Sequence, residues 1–122
     1  KFYLDTYAII EYLTGNEADG KYLKGAALIT CKLNLMELYY VLLRDSGESN
    51  ADSAYLAFRN YETSIEEVDI KQAMKFRLRM KARKSDFSYA DAIGYAIAQR
   101  VGALYLTGDD NFRPLSGVEF HK

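Results

Sequence analysis

Four carboxylates in this 122-residue sequence stand in apolar surroundings. Asp5 lies within Phe2-Tyr3-Leu4-Asp5-Thr6-Tyr7-Ala8-Ile9, and Glu37 within Leu35-Met36-Glu37-Leu38. Asp91 lies within Ser88-Tyr89-Ala90-Asp91-Ala92-Ile93, and Asp109 within Leu106-Thr107-Gly108-Asp109. Taken singly, each has an ordinary explanation as a helix cap. Acids near a helix N-terminus accept from unpaired amides and gain ~0.3–1 kcal/mol from the dipole. Asn34…Glu37 and Ser88…Asp91 both show the spacing of a capping box. Gathered at one place, the four imply different chemistry. Like charges ~4 Å apart repel by about 4 kcal/mol even at an effective dielectric near 20. No lysine or arginine lies within the four motifs. The natural counter-ion is then a hard divalent cation with carboxylate and water ligands, Mg²⁺ or Mn²⁺. A single histidine, His121, argues against triad or histidine acid–base chemistry, and a single cysteine, Cys31, excludes an internal disulfide and a Cys-rich zinc site.

Whether the acids meet depends on the elements that carry them. Half the chain (49%) is apolar and 27% is charged, which excludes disordered and fibrous classes and leaves one domain over residues 1–122. Phe2-Tyr3-Leu4 reads as a buried strand, followed by a helix over Thr6–Leu13 that Thr14-Gly15 stops. Ala26–Thr30 is a second strand, and Asn34 opens a helix ending at Ser46-Gly47. Ser49 or Asn50 opens another through Asn60; Ser64–Val68 reads as a third, weaker strand. Asp69 is expected to cap a basic helix to about Lys84, and Ser88 a small-residue helix closed by Gly102. Ala103–Thr107 is a strand, Asp109–Phe112 a turn and Val118–Phe120 a last strand. Strands alternating with helices imply an α/β fold, a three-layer α/β/α sandwich with a mainly parallel sheet of about five strands. In such sheets ligands bind beyond the carboxyl ends of the strands, where all four acids are expected.

In order and spacing, Leu4-Asp5-Thr6, Leu35-Met36-Glu37-Leu38, Ser88-Tyr89-Ala90-Asp91-Ala92-Ile93, Thr107-Gly108-Asp109 with Phe112, and Pro114-Leu115-Ser116-Gly117-Val118 resemble the PIN-domain ribonucleases, especially the small VapC-type toxins. The resemblance runs nearly end to end. It implies a PIN-like fold and metal-dependent endonucleolytic cleavage of RNA by an acidic tetrad, Asp5, Glu37, Asp91 and Asp109. Thr6 and Thr107 are the accompanying hydroxyls, and Asp110 adjoins Asp109 so that either can reach a metal. It further implies Mg²⁺ or Mn²⁺ as cofactor, a homodimer, and a small antitoxin protein in a type II toxin–antitoxin pair. The alternatives are a housekeeping RNA-processing PIN nuclease and a non-catalytic RNA- or protein-binding module.

Charge is unevenly spread. Residues 1–70 hold 12 acids and 6 bases, a net of −6, whereas residues 71–122 hold 5 acids and 10 bases, a net of +5. Seven of those bases fall between Lys71 and Lys84 with no acid among them. One reading is a solvated face, with Met74, Phe76, Leu78 and Met80 packed inward. The other is a phosphate-contacting track for RNA through Lys75, Arg79, Arg83 and Lys84. Eleven tyrosines sit mostly at core-like spacing, which makes base stacking the lesser reading. A receiver-type signalling domain would need paired acids after the first strand, and a haloacid-dehalogenase-like phosphatase would need Asp-x-Asp there. Thr6 and Tyr7 argue against both. No apolar run is long enough for a membrane span, no signal peptide is read at the start, and cysteine usage suits a reducing cytosol.

Overall fold

The computed structural model describes residues 1–15 and 25–121. Four short strands, β1 (Phe2–Leu4), β2 (Leu28–Ile29), β3 (Leu104–Thr107) and β4 (Val118–Phe120), form one parallel sheet in the order β2-β1-β3-β4. The described helices are α1 (Thr6–Leu13), α2 (Lys32–Ser46), α3 (Glu48–Phe58), α4 (Glu67–Ala82) and α5 (Tyr89–Val101). Single 3₁₀ turns follow at Arg59–Tyr61 and Asp110–Phe112.

Successive strand residues point to opposite faces, and the two faces build two cores. Leu4 and Leu106 pack with Ala8 and Ile9 of α1, Leu35 and Leu38 of α2, and Ala54 and Phe58 of α3. Tyr3 and Tyr105 pack with Ala73, Phe76 and Met80 of α4 and the buried face of α5. The result is three layers. Gly94 of α5 rests on Tyr3 so closely that a Cβ there would lie 2.7 Å from the ring, so the layer spacing depends on its missing side chain.

Strand order places the functional end. From central β1 the chain crosses to β2 on one side, whereas β3 leads to β4 on the other. The crevice between the carboxyl ends of β1 and β3 is therefore the topological switch point. Leu4 pairs in register with Leu106, which sets Asp5 level with Thr107 one step later.

Several expectations are corrected. Among the described residues the sheet has four strands, compatible with the expected mainly parallel sheet of about five; the expected strand Ser64–Val68 does not form, and one bridge, Thr30 to Glu62, lies just before it. The reason is a capping box in which Glu66, not Asp69, is the N-cap of α4 and Asp69 is its N3 partner. Helix α2 starts at Lys32 with Cys31 as N-cap, because Asn34 turns its side chain inward instead of capping. No Asn34…Glu37 capping box forms, and Glu37 sits in the second turn. Helix α3 starts at Glu48, just before the expected opening at Ser49 or Asn50. On α4 the buried apolar residues are Ala73, Phe76 and Met80, while Leu78 is 74% exposed. A two-residue period cannot stay on one helix face; three- and four-residue steps can. Cys31 is a free, fully buried thiol, as its apolar character suggests.

Two buried tyrosines stacked at 5.3 Å differ in one respect. The Tyr3 hydroxyl donates to Asn34 Oδ1, whereas among the described residues the buried Tyr105 hydroxyl has no hydrogen-bond partner. Tyr3→Phe leaves Asn34 Oδ1 with only the weak Cys31 thiol at 3.6 Å, and is expected to cost about 1–2 kcal/mol. Tyr105→Phe deletes an orphaned hydroxyl and is expected to be neutral or to stabilise by up to ~1 kcal/mol. Urea unfolding of the two variants measures this contrast; equal losses would contradict it.

Candidate active site

The site begins with Asp5, the residue that follows β1 and caps α1. Its Oδ1 accepts the Ala8 N–H at 2.7 Å, and its Oδ2 accepts the Thr107 hydroxyl at 2.5 Å. The second bond is made possible by the β1–β3 register and ties the two strands together beyond the last ladder pair. Thr107 Oγ1 in turn accepts the Asp109 N–H at 3.1 Å, and Asp109 Oδ1 accepts the Asn111 N–H at 3.0 Å. Asp109 is thus held in the turn after β3, close to Asp5.

Asp91 arrives from the opposite layer at the N-terminus of α5. Its Oδ2 accepts the Ser88 N–H at 3.1 Å, and Ser88 Oγ accepts the Asp91 N–H at 3.0 Å. The capping box expected from sequence is present and commits one carboxylate oxygen. Capping and site placement coexist.

Glu37 is reached through a directed chain of hydrogen bonds. The Tyr3 hydroxyl donates to Asn34 Oδ1, Asn34 Nδ2 donates to Thr6 Oγ1 at 3.2 Å, and the Thr6 hydroxyl donates to Glu37 Oε1 at 2.8 Å. Asn34, which in sequence resembles only a cap, is the buried hinge of this chain. A groove of about 520 Å³ opens beside Glu37, lined by Thr6, Met36, Tyr40 and Val41. Both expected hydroxyls therefore hold an acid: Thr6 holds Glu37 and Thr107 holds Asp5.

Electrostatics show which acids share one field. Burial raises Asp5 to about 7; the Thr107 and Ala8 bonds oppose that rise, and the charges of Asp91 and Asp109 add to it. Burial also raises Asp91, with Ser88 opposing and Asp109 and Glu37 adding. Tyr105, beneath them, is pushed well above its ordinary value by burial and by Asp5, Asp91 and Glu37. Asp110 is instead at the surface, 3.2 Å from Arg113. Among the described residues none of the four acids forms an ion pair.

The fold can pair a buried acid when it needs to. Asp69 is as buried as Asp5, yet Arg100 donates to both its oxygens at 2.8 and 2.9 Å. Asp5 has no such partner. Its surroundings suit a cation, since each acid keeps lone pairs beyond those already used. Among the described residues, no three His, Cys, Asp or Glu side chains are placed to hold a metal ion by themselves. Ions such as Mg²⁺ need only one or two carboxylates and keep several waters, so this donor set fits them.

The basic residues divide into two rows. Lys75 and Arg79 lie four apart on exposed α4, continued by exposed Arg83 and Lys84 beyond it. Arg77 and Lys81 form a second row on the other flank of the buried stripe. Arg77 Nε donates to Phe87 O at 2.8 Å, one residue before the α5 cap. Nothing in the sequence singles out that row, because all seven bases look alike there.

Residues 2–117 match the family described as PIN domain. The chain belongs to the PIN-domain family. No curated protein sequence matches it. Among solved structures, the PIN fold here is similar to the Mycobacterium tuberculosis toxin VapC20, described as cleaving the sarcin–ricin loop, with a TM-score of 0.79 and 20% identity over 100% of both chains. It is similar to a chain of VapBC2 from Rickettsia felis bound to a promoter DNA fragment (TM-score 0.79, 12% identity, 98% of this chain and 96% of that one). A Klebsiella pneumoniae toxin–antitoxin complex gives a TM-score of 0.77 and 19% identity over 98% and 96%. At such identities the likeness is one of fold. Among the described residues no helix of this PIN domain is long and apolar enough to cross a membrane.

A raised carboxylate pKa has a defined sign. Asp5 moves from an ordinary 3.8 up to about 7, so its contribution to stability is complete below pH ~4 and is lost as pH rises through 7. In EDTA, Asp5→Asn is expected to become more stable relative to the native chain between pH 4 and pH 8, by on the order of 4 kcal/mol. Chemical denaturation of both proteins across that range measures the difference. Parallel stability curves would contradict it.

Proposed function

We propose that this chain is a divalent-metal-dependent endoribonuclease acting as a single domain over residues 1–122, the toxin of a type II toxin–antitoxin pair. The observation that carries the reading is Asp5: a buried carboxylate at the switch point of a PIN fold, without a basic partner, in the field of Asp91 and Asp109. Asp5, Glu37, Asp91 and Asp109 would hold Mg²⁺ or Mn²⁺, with Thr6 and Thr107 keeping two of them oriented. When bound, such an ion supplies polarisation of the scissile phosphate and a lowered pKa for an attacking water.

The chain's own residues have three tasks. Thr107 and the Ala8 N–H hold both oxygens of Asp5, and Thr6 holds one oxygen of Glu37, which limits how these two carboxylates can turn. A carboxylate oxygen would take the water proton as the water oxygen bonds to phosphorus; the bond from phosphorus to the leaving ribose oxygen breaks, and that oxygen takes a proton from solvent to become a hydroxyl. Exposed Lys75, Arg79, Arg83 and Lys84 offer a track for the RNA backbone, which the acids themselves would repel. Histidine is not required for any of these steps.

The partner reading rests on the structural neighbours, which come from toxin–antitoxin complexes. The groove beside Glu37, with Met36 and Tyr40 exposed on its rim, would receive an apolar segment of a small antitoxin and cover the acids. A homodimer in the cytosol, where RNA and antitoxin meet, completes the reading.

The purified chain is expected to cleave mixed RNAs with Mn²⁺ or Mg²⁺ and to stop in EDTA. Asp5→Asn and Asp91→Asn are each expected to slow cleavage by roughly 10²-fold or more, and Thr6→Val by about tenfold. Gel analysis of the RNA after timed incubation reads all of these. Cleavage indifferent to EDTA and to both substitutions would place the activity elsewhere, whereas RNA binding without cleavage would favour a non-catalytic module.

A further inference from the structure

Most tyrosines are expected in the core, yet Tyr89 is 62% exposed at the first position of α5, two residues before Asp91. It is not a loose surface ring. The Arg77 guanidinium lies over it, 4.1 Å from the ring centroid, and Arg77 is pinned from below by Phe87 O at 2.8 Å. Cation and ring form a braced two-layer plate, with much of the ring still open to solvent.

On the Arg77 side of the plate is a cavity of about 220 Å³, lined by Met74, Arg77, Leu78, Lys81, Asp86 and Phe87, which the Tyr89 ring itself does not line. That is below the ~300–1,000 Å³ of pockets for drug-sized ligands, a volume for one ring system. Leu78 faces solvent here, an apolar surface that the α4 core does not use. Lys81 supplies positive charge at the rim, and Asp86 supplies an acceptor for an N–H on a base edge. Stacking on an aromatic or arginine plane, an apolar wall and a phosphate-seeking cation are the features that receive an unstacked nucleobase.

We propose that the Arg77 guanidinium, backed by the Tyr89 ring, stacks a base of single-stranded RNA in this cavity, with Leu78 and Lys81 bordering the base. The proposal rests on the endoribonuclease reading for its substrate but not for its measurement. It gives the site a way to select splayed, single-stranded RNA over duplex, because a paired base cannot reach the plate. It also separates the two basic rows of α4: Arg77 and Lys81 serve this base, and Lys75 and Arg79 serve the more distant backbone.

The test uses metal-free protein in EDTA, with a labelled single-stranded RNA and a ribose-phosphate strand of equal length lacking bases, read by fluorescence anisotropy. Tyr89→Ala is expected to weaken RNA binding by about tenfold and leave the baseless strand unchanged. Tyr89→Phe is expected to bind both strands as the native chain does. Lys81→Ala is expected to weaken both strands and lower the salt slope by about one. Melting temperatures check that the variants are folded. Tyr89→Ala weakening both strands equally or neither, or a native chain that binds neither, would overturn the proposal; the last two outcomes also leave Tyr89 as a surface for a protein partner. If Tyr89→Ala selectively weakens RNA while the native chain cleaves nothing in Mn²⁺, the stacking site stands and the nuclease reading fails. Metal-dependent cleavage with an indifferent Tyr89 means the opposite: the nuclease reading stands and the stacking site fails.

Discussion

The structure turns on the hydrogen bond from Thr107 to Asp5, and on the charge that bond has to hold. Strands β1 and β3 pair in register up to Leu4 and Leu106, and the next step joins a hydroxyl to a carboxylate across the sheet end. Burying a carboxylate costs several kcal/mol unless it is paired or neutralised. The fold solves that problem for Asp69 with Arg100. For Asp5 it supplies two hydrogen-bond donors and two further acids instead. A chain that places an arginine against one buried acid leaves another among like charges, which is the basis for proposing a cation there.

Everything near that site is arranged to limit motion of the acids. Asp5 is gripped at both oxygens, Asp91 is fastened to its own helix cap, and Asp109 is folded into a turn that Thr107 anchors. Glu37 is reached through Asn34 from Tyr3, a ring in the core of the opposite layer. Beneath them, aromatic packing runs from Tyr3 through Tyr105 and Phe112 to Phe87, next to the α5 cap. Core packing and site geometry are therefore one problem, and a change in Tyr3 or Gly94 reaches the acids through contacts already on this path.

Much of this is legible in the residues. The strand Phe2–Leu4, the helix Thr6–Leu13, the Ser88 cap and the strand Val118–Phe120 match the structure, because short apolar runs bounded by cap and turn residues have few alternative conformations. The place of Asp5 at the sheet end is legible for a related reason, since a carboxylate in an apolar run conflicts with burial. What is not legible depends on partners distant in sequence. Asn34 resembles an N-cap until Tyr3 and Thr6 are known to face it. Asp69 reads as a cap until Arg100 is placed 31 residues away. Asp109 and Asp110 are indistinguishable until Arg113 pairs with the second. Arg77 is one of seven bases until Phe87 and Tyr89 select it. Local propensity fixes elements, and tertiary placement decides what their side chains mean.

The central claim is that Asp5 is buried among like charges because a divalent cation completes the site. A titration of Mn²⁺ against melting temperature, with native chain and Asp5→Asn side by side, tests it without requiring any RNA. A ligand that binds only the folded state at 100 times its Kd adds about 2.7 kcal/mol, a shift of several degrees for a domain of this size. The account predicts a concentration-dependent rise of that order in the native chain, reversed by EDTA, and little rise in Asp5→Asn. Equal rises in the two proteins, or no rise in either, would contradict it.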